Sequence, residues 1–565
     1  MNRDERDYLA DLRRRQLSSW PPDVPTAPTY PLGEQTLSES LRGWARTQPE
    51  RVAVVYYGTE LTYAAFDAAV DSIGGHLVGA GVRPGDRIAV MLPNCPQFLI
   101  AFHAILRIGA VHVPVSPMSK EAEIIHELDE SGADVLIAWD ALLPAVEEVR
   151  AKSPLRHVIV TSLSSYLPDS PTLPVPDLVR TPVTAPPPGM VGWDDALTAS
   201  APDQLPTVGL DDLAALNFTG GTTGLPKGCE HTHRHMVYTA ACLTSAWKLG
   251  HGERSGTALV FLPAFWIAGE VLAAILPVFV GGTCVLLARW SPDAVLTGVE
   301  RYRVTELAGT VDSYLDLMDH PDVGEHDLSS LATTVAASFV HRLTIEVRQR
   351  WREVSGSTAV LREAAYGMTE THTFDTFVTG LNDGDQDLHS RPVFCGLPMP
   401  GTEFKIVDFE TRTLCALGAE GEICVRSPAV MRGYWNADDD DHDGWLATGD
   451  IGMIDEHGFL HFLGRRKEML KVNGMSVFPA EIEAVLGGHP DVVGCGVVGT
   501  SNPRSGERPV AFVEITPIAA GTIDAEALRQ WCAERLADYK VPEVRISAEL
   551  PRTASGKIRK NLLVL

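Results

Sequence analysis

The chain has 565 residues, 45% of them hydrophobic, 21% charged and 7% aromatic, a composition that fills more than one hydrophobic core and excludes a disordered or fibrous protein. Its 47 Lys+Arg against 73 Asp+Glu leave a net charge of −26, which rules out a broad basic surface for duplex nucleic acid or anionic lipid. An anionic ligand must therefore meet a local basic site. The nine cysteines are scattered without a C-x-x-C pair and read as reduced, mostly buried thiols. The charged N-terminus, MNRDERDYLADLRRRQ, lacks the apolar run of a signal peptide, so a cytoplasmic protein is expected.

Taken in chain order, apolar runs alternate with helical patterns in the manner of βαβ units, predicting an α/β fold. Ile88 to Leu92 reads as a buried strand, Gln97 to Ile108 as an amphipathic helix, and Val111 to Val115 as the next strand. Residues 163–210, with Pro171, Pro174, Pro176, Pro182 and Pro186 to Pro188, read as a surface insertion or connector. Leu213 to Phe218 is a strand leading into a glycine-rich loop. Val260 to Ala288 is apolar, but Pro263, Glu270, Pro277, Gly281 and Gly282 interrupt it; a buried helix, a turn and a strand Thr283 to Leu287 fit better than a membrane span. A strand ends at Gly464, and the charged Arg465 to Glu468 marks a boundary between a domain of residues 1–466 and one of 467–565. In the latter, Pro479 to Leu486 and Ala525 to Leu536 are helix candidates.

Thr219 to Gly228 places four glycines, three threonines and Lys227 in ten residues directly after a buried strand, which suits backbone N–H groups converging on an anion. It is not a Walker A loop, because Pro226 precedes the lysine and Gly228 follows it. His231, His233 and His235 alternate, yet no Cys or carboxylate cluster accompanies them; Thr232 instead reads as the N-cap of a helix. Asp438 to Asp441 reads as a solvated acidic loop.

The Thr219–Gly228 string resembles the phosphate-binding loop of the adenylate-forming superfamily, which includes acyl-CoA synthetases, peptide-synthetase adenylation domains and beetle luciferases. Four more motifs follow in that family's order: Tyr366 to Thr371, Gly444 to Gly452, Gly464 to Gly474 continuing to Glu483, and Pro551 to Lys557. The resemblance implies a large N-terminal domain of layered sheets and helices and a small mobile α+β C-terminal domain hinged at Lys467. It implies ATP, Mg²⁺ and CoA as cofactors and co-substrates, with a small carboxylic acid as partner and no nucleic acid. Thr219, Gly220, Gly221, Thr222, Thr223, Gly224 and Lys227 would hold phosphates, with Thr222 also catalytic. Tyr366, Gly367 and Thr369 would bind adenine, Asp450 and Arg465 the ribose, and Glu370 the metal. Lys557 would be the adenylation lysine, Lys467 and Lys471 would serve the hinge face, and Gly474 would line the thiol channel.

The chemistry asks for such groups: a carboxylate attacking the α-phosphate of ATP must overcome anion repulsion, so cations, a metal and oriented N–H donors are needed where charge accumulates. Phe265, Trp266, Ala337, Ser338 and Phe339 form the expected acyl pocket, with Trp266 where many members carry histidine. Their apolar character favours a fatty or aryl acid, and no acid is evident near Trp266 to hold an α-ammonium. The expected reaction is acyl-adenylate formation followed by transfer to CoA. The alternatives are transfer to an amine or a carrier protein, and a catalytically silent nucleotide-binding protein.

Overall fold

A computed structural model describes the chain apart from residues 1–2, 154, 203, 220–225, 339–340, 390–392, 438–443, 473–474, 503–505, 518, 520–522, 554–556 and 564–565. Its described strands form four sheets. The first runs, in spatial order, Val191–Gly192, His157–Thr161, Val135–Trp139, Arg87–Met91, Val111–Pro114, Leu213–Thr219 and Lys227–Thr232; only the last pair is antiparallel. The second runs Leu361–Glu363, Thr333–Ala337, Glu306–Thr310, Thr257–Val260, Thr283–Leu286, Val52–Tyr56 and Thr59–Thr62, again parallel except for its last pair. Strands such as Val135–Trp139 are apolar almost throughout rather than alternating, as a parallel sheet covered on both faces requires.

The helix Pro96–Arg107 starts with proline at its first turn, and all of its residues are buried. Polar pins tie its neighbourhood to the second sheet: Asn94 Nδ2 donates to the carbonyls of Leu262 (3.0 Å) and Leu287 (3.1 Å), and His103 Nε2 lies 2.9 Å from the Ala274 carbonyl. The predicted elements of this region form within a residue or two of expectation, which is the usual uncertainty of helix and strand ends. Val260 to Ala288 resolves into a helical run, Ile267–Glu270, π-helical Val271–Ile275 and Leu276–Val280, before the strand Thr283–Leu286. Gly281 closes that run at φ 72°, and a Cβ there would meet the Trp44 ring at 2.8 Å. No helix among the described residues is long and apolar enough to cross a membrane.

The third sheet is antiparallel, in the order Thr376–Phe377, Val393–Pro398, Leu460–Arg465, Leu446–Ile454, Gly421–Arg426 and Glu403–Val407. The helix Arg3–Ser18 packs on it through Leu9 and Leu12, with Lys405 Nζ 2.6 Å from Glu5 Oε1. After the turn Arg466–Glu468 the fourth sheet begins, with strands Leu470–Val472, Met475–Val477, Val492–Asn502, Gly506–Ile515 and Glu543–Ser547. The helices Pro479–Gly487 and Ala525–Ala533 supply Ile482, Leu486, Leu528 and Cys532 to its own core.

One expectation needs correction. Residues 163–210 are not a surface connector: Leu163, Leu173, Val179, Trp193 and Ala196 are all buried, and Val191–Gly192 extends the first sheet. Thr172 N–H donates to the Tyr57 carbonyl (2.9 Å), joining the segment to the second sheet's layer. The prolines interrupt periodicity without preventing burial. Trp193→Ala should therefore lower unfolding free energy by about 3 kcal/mol or more, whereas a surface position would change it by under about 0.5 kcal/mol. Denaturant titration of the full chain checks this.

Candidate active site

The strand Leu213–Thr219 turns back as Lys227–Thr232, and Thr219 faces Lys227 in register. The expected phosphate contacts of Gly220, Gly221, Thr222, Thr223 and Gly224 lie outside the described residues, as do those of Phe339 and Gly474. Lys227 is exposed at the mouth of this hairpin, its Nζ 5.2 Å from the centre of the Tyr434 ring. Tyr434 in turn donates its hydroxyl proton to Glu370 Oε1 at 2.8 Å. One tyrosine thus joins the lysine and the acid that were expected to meet phosphate and metal.

Tyr434 belongs to a segment sewn between two motifs. Glu230 N–H donates to the Gly433 carbonyl (3.0 Å), Trp435 N–H to the Gly228 carbonyl (2.8 Å), and Met431 N–H to the Glu370 carbonyl (2.8 Å). The signal that could have found this residue was the aromatic pair Tyr434-Trp435 just beyond a strand. The alternating histidines are also part of the scaffold. Thr232 caps the helix His233–Ala246, as expected, by accepting from His235 N–H, while His231 Nε2 donates to the Thr369 carbonyl at 2.8 Å. Burial pushes His231 well below the usual histidine range and His235 to about 4, so these rings stay neutral around neutral pH.

Gly367 explains itself sterically: a Cβ there would stand 1.2 Å from the Thr373 carbonyl oxygen. Next to it, Tyr366 is half-buried, edge-on to Phe404 (6.2 Å between ring centres), and donates its hydroxyl proton to Asp450 Oδ2 at 2.8 Å. Asp450 and Arg465 are register partners on the neighbouring antiparallel strands Leu446–Ile454 and Leu460–Arg465. Arg465 Nε stands 3.3 Å from Asp450 Oδ1, a buried oxygen with no hydrogen-bond partner among the described residues. Burial raises the Asp450 carboxyl, and Arg465 opposes that shift. A buried acceptor in need of donors fits a vicinal diol.

Lys557, from the far end of the chain, lies close enough to Arg465 and Asp450 for both to bear on its ammonium. Its loop is closed by Thr553 N–H donating to the Lys557 carbonyl (2.7 Å) and Arg559 N–H to the Pro551 carbonyl (2.7 Å). The residue is exposed to solvent on its loop. Burial and then the nearby Arg465 guanidinium push its ammonium below the usual lysine value, while Asp450 pulls the other way. Lys467 is exposed in the turn Arg466–Glu468; Lys471 is exposed in Leu470–Val472, its backbone N–H donating to Glu507 Oε2 at 2.6 Å.

On the acyl side, Phe265 and Trp266 meet edge to face with ring centres 5.6 Å apart, immediately before the helical run Ile267–Glu270. Ala337 and Ser338 stand at the carboxyl end of Thr333–Ala337. Beside Ser338, Glu363 accepts from Ser338 N–H (2.9 Å) and from Ser338 Oγ (2.5 Å). Burial raises its carboxyl, so Glu363 is a Ser338-bound group rather than a bare anion. Glu270, four residues after Trp266, is fully buried and faces His112 Nε2 at 3.3 Å. A narrow apolar cleft lined by Val260, Leu272, Leu276, Leu307 and Trp247 runs beside the helical segment that follows Trp266.

A buried aspartate paired with an arginine on adjoining strands, with a lysine loop from the fourth-sheet unit within electrostatic reach, is the arrangement expected of an adenylate-forming enzyme. The chain belongs to that family: the AMP-binding enzyme family matches residues 41–435, and its C-terminal domain matches 481–557. It is an enzyme of the AMP-forming ligase class. Among its relatives, a long-chain-fatty-acid–CoA ligase of Bacillus subtilis is 31% identical over 567 residues, covering 97% of each chain. A feruloyl-CoA synthase of Amycolatopsis is 33% identical over 93% of this chain and 98% of its own. An anthranilate CoA ligase in complex with anthranoyl-AMP superposes with a TM-score of 0.77 at 27% identity, over 95% of this chain and 97% of the other. An amide bond synthetase of Marinactinospora thermotolerans superposes with a TM-score of 0.76 at 26% identity, over 93% of this chain and 99% of the other.

The lowered Lys557 predicts a pH effect. If the ammonium is the working form, adenylation declines with rising pH on a limb below the ordinary lysine value of 10.5. Arg465→Met removes a like charge and should move that limb upward; Asp450→Asn removes the opposing carboxylate and should move it down. Profiles of kcat against pH for acid-dependent pyrophosphate exchange measure both shifts.

Proposed function

We propose that this protein activates an apolar carboxylic acid, fatty or aryl, with ATP and passes the acyl group to CoA. The observation that carries the reading is the buried carboxylate of Asp450, to which Tyr366 donates and which Arg465 faces at 3.3 Å, with Lys557 of the C-terminal loop within its electrostatic reach. Asp450 accepts the ribose hydroxyls at its Oδ1, the oxygen that Arg465 faces, beside Tyr366 and the adenine. Lys557 brings its ammonium between the acid's carboxylate and the α-phosphate, offsetting the repulsion between two anions. A carboxylate oxygen bonds to the α-phosphorus as the bond to pyrophosphate breaks. Lys227 supplies a second cation at the mouth of the phosphate loop.

Glu370 fits Mg²⁺, which prefers one or two carboxylates together with phosphate oxygens and water; when bound, the ion neutralises charge on the triphosphate. The donor set here is one carboxylate oriented by Tyr434. In the second step the thiol sulfur bonds to the acyl carbon and AMP leaves with the former carboxylate oxygen. That step needs Lys557 out of the way, and we assign the swivel to residues 467–565 about Lys467, where the third sheet has ended and the fourth has not begun. The edge-to-face aromatic pair Phe265 and Trp266 supports a hydrocarbon-rich acid. An amine as acceptor is the second reading, favoured by the likeness to an amide bond synthetase.

A panel of fatty, aryl and amino acids scored for pyrophosphate release with and without CoA tests donor and acceptor together. Acyl-CoA formation from apolar acids is expected, and release indifferent to CoA would favour the amine. Lys557→Ala should abolish adenylate formation while sparing transfer from supplied acyl-adenylate, and Lys467→Pro should do the reverse. In the same panel Trp266→Ala should broaden acid selection; an unchanged profile removes Trp266 from the pocket.

A further inference from the structure

Three residues beyond Lys557, Lys560 is mostly buried and paired twice: its Nζ bonds Glu468 Oε2 and lies 2.9 Å from Glu483 Oε1. Glu468 is the residue after Lys467, in the turn where the chain passes from the third sheet to the fourth. Glu483 sits in the helix Pro479–Gly487 and is itself held, since Val497 N–H donates to its Oε1 at 2.7 Å. The other end of the lysine loop is fastened as well: Arg552 Nη2 donates to Glu514 Oε2 at 2.8 Å, and Arg552 bridges Ile558 across the loop. The loop bearing Lys557 is therefore stapled on both sides, and one staple reaches the connecting turn.

We propose that Lys560 is a positioning residue for adenylation, acting through Lys557 by locking the C-terminal lysine loop to the hinge turn at Glu468 and to the helix at Glu483. This rests on the role given above to Lys557. The physical reason is geometric. Lys557 ends a long flexible stem and must present its ammonium beside Asp450, so the backbone that carries it has to be fixed, and the Thr553–Lys557 and Arg559–Pro551 hydrogen bonds tie the loop only to itself. Its orientation relative to the pocket comes from the pairs at either end. Without Lys560, two carboxylates drawn to a common point lose their shared cation, and the loop is released on the side nearest the hinge. Because Glu468, Glu483 and Lys560 all follow Lys467 in the chain, the staple travels with the swivelling unit and withdraws Lys557 as one piece for thioester formation.

The test separates the half-reactions in the full-length protein. Lys560→Met should lower acid-dependent ATP–pyrophosphate exchange about tenfold or more, while thioester formation from supplied acyl-adenylate and CoA stays within about twofold of the unaltered protein. Lys560→Arg, which keeps the charge, should restore exchange to within about threefold, and Glu468→Gln should reproduce the selective loss in weaker form. Equal loss of both half-reactions in Lys560→Met, or exchange at the unaltered rate, overturns the proposal. Melting temperature, read alongside, distinguishes release of the loop from unfolding: selective loss at an unchanged melting temperature supports positioning, and loss that follows the melting temperature overturns it. Failure of the unaltered protein to exchange pyrophosphate with any acid would instead count against the proposed function.

Discussion

Two anions must be held in contact long enough to react, and that electrostatic constraint organises the structure. The chain is acidic, and Glu370 and Glu468 add like-charge repulsion to the burial that already raises the Asp450 carboxyl, so negative charge is disfavoured there before any ligand arrives. Cations have to be imported to this spot from separate parts of the fold. The register that sets Asp450 opposite Arg465 supplies one, the hairpin after Leu213–Thr219 offers Lys227, and the C-terminal loop delivers Lys557. In the proposed two-step reaction, a removable cation would free for the second step the space that the first step filled.

The rest of the site is scaffolding for that delivery. Met431 to Trp435 runs between the phosphate-loop strand and Glu370, so Tyr434 can hold the carboxylate with its hydroxyl and face Lys227 with its ring. Neutral, buried histidines do comparable work from the other side, His231 fixing the Thr369 carbonyl. Tyr434 and His231 tolerate burial because each has a hydrogen-bond partner, as packed interiors demand. Gly367 lets two stretches of backbone approach closer than any side chain would permit.

On the expected acyl side the aromatic pair Phe265 and Trp266 supplies an apolar wall. Glu363 is bound to Ser338, and the fully buried Glu270 faces His112. A pocket of that character stabilises an acid through burial of its hydrocarbon part, roughly 25 cal/mol per Å² of apolar surface, while specificity falls to shape.

The sequence alone determined the α/β class, the succession of strands and helices, the N-cap at Thr232 and the five motifs, because hydrophobic periodicity and glycine-rich punctuation are local properties that adjacent residues express without their neighbours in space. It misplaced residues 163–210, where prolines hide the burial of Trp193, and overlooked Tyr434, Glu363 and Lys560. Those depend on contacts between distant segments: Tyr434 with Glu370, Glu363 with Ser338, Lys560 with Glu468. Only the tertiary structure decided them, since a carboxylate's partner is set by which strands lie side by side, and that order is written in no stretch of chain short enough to read.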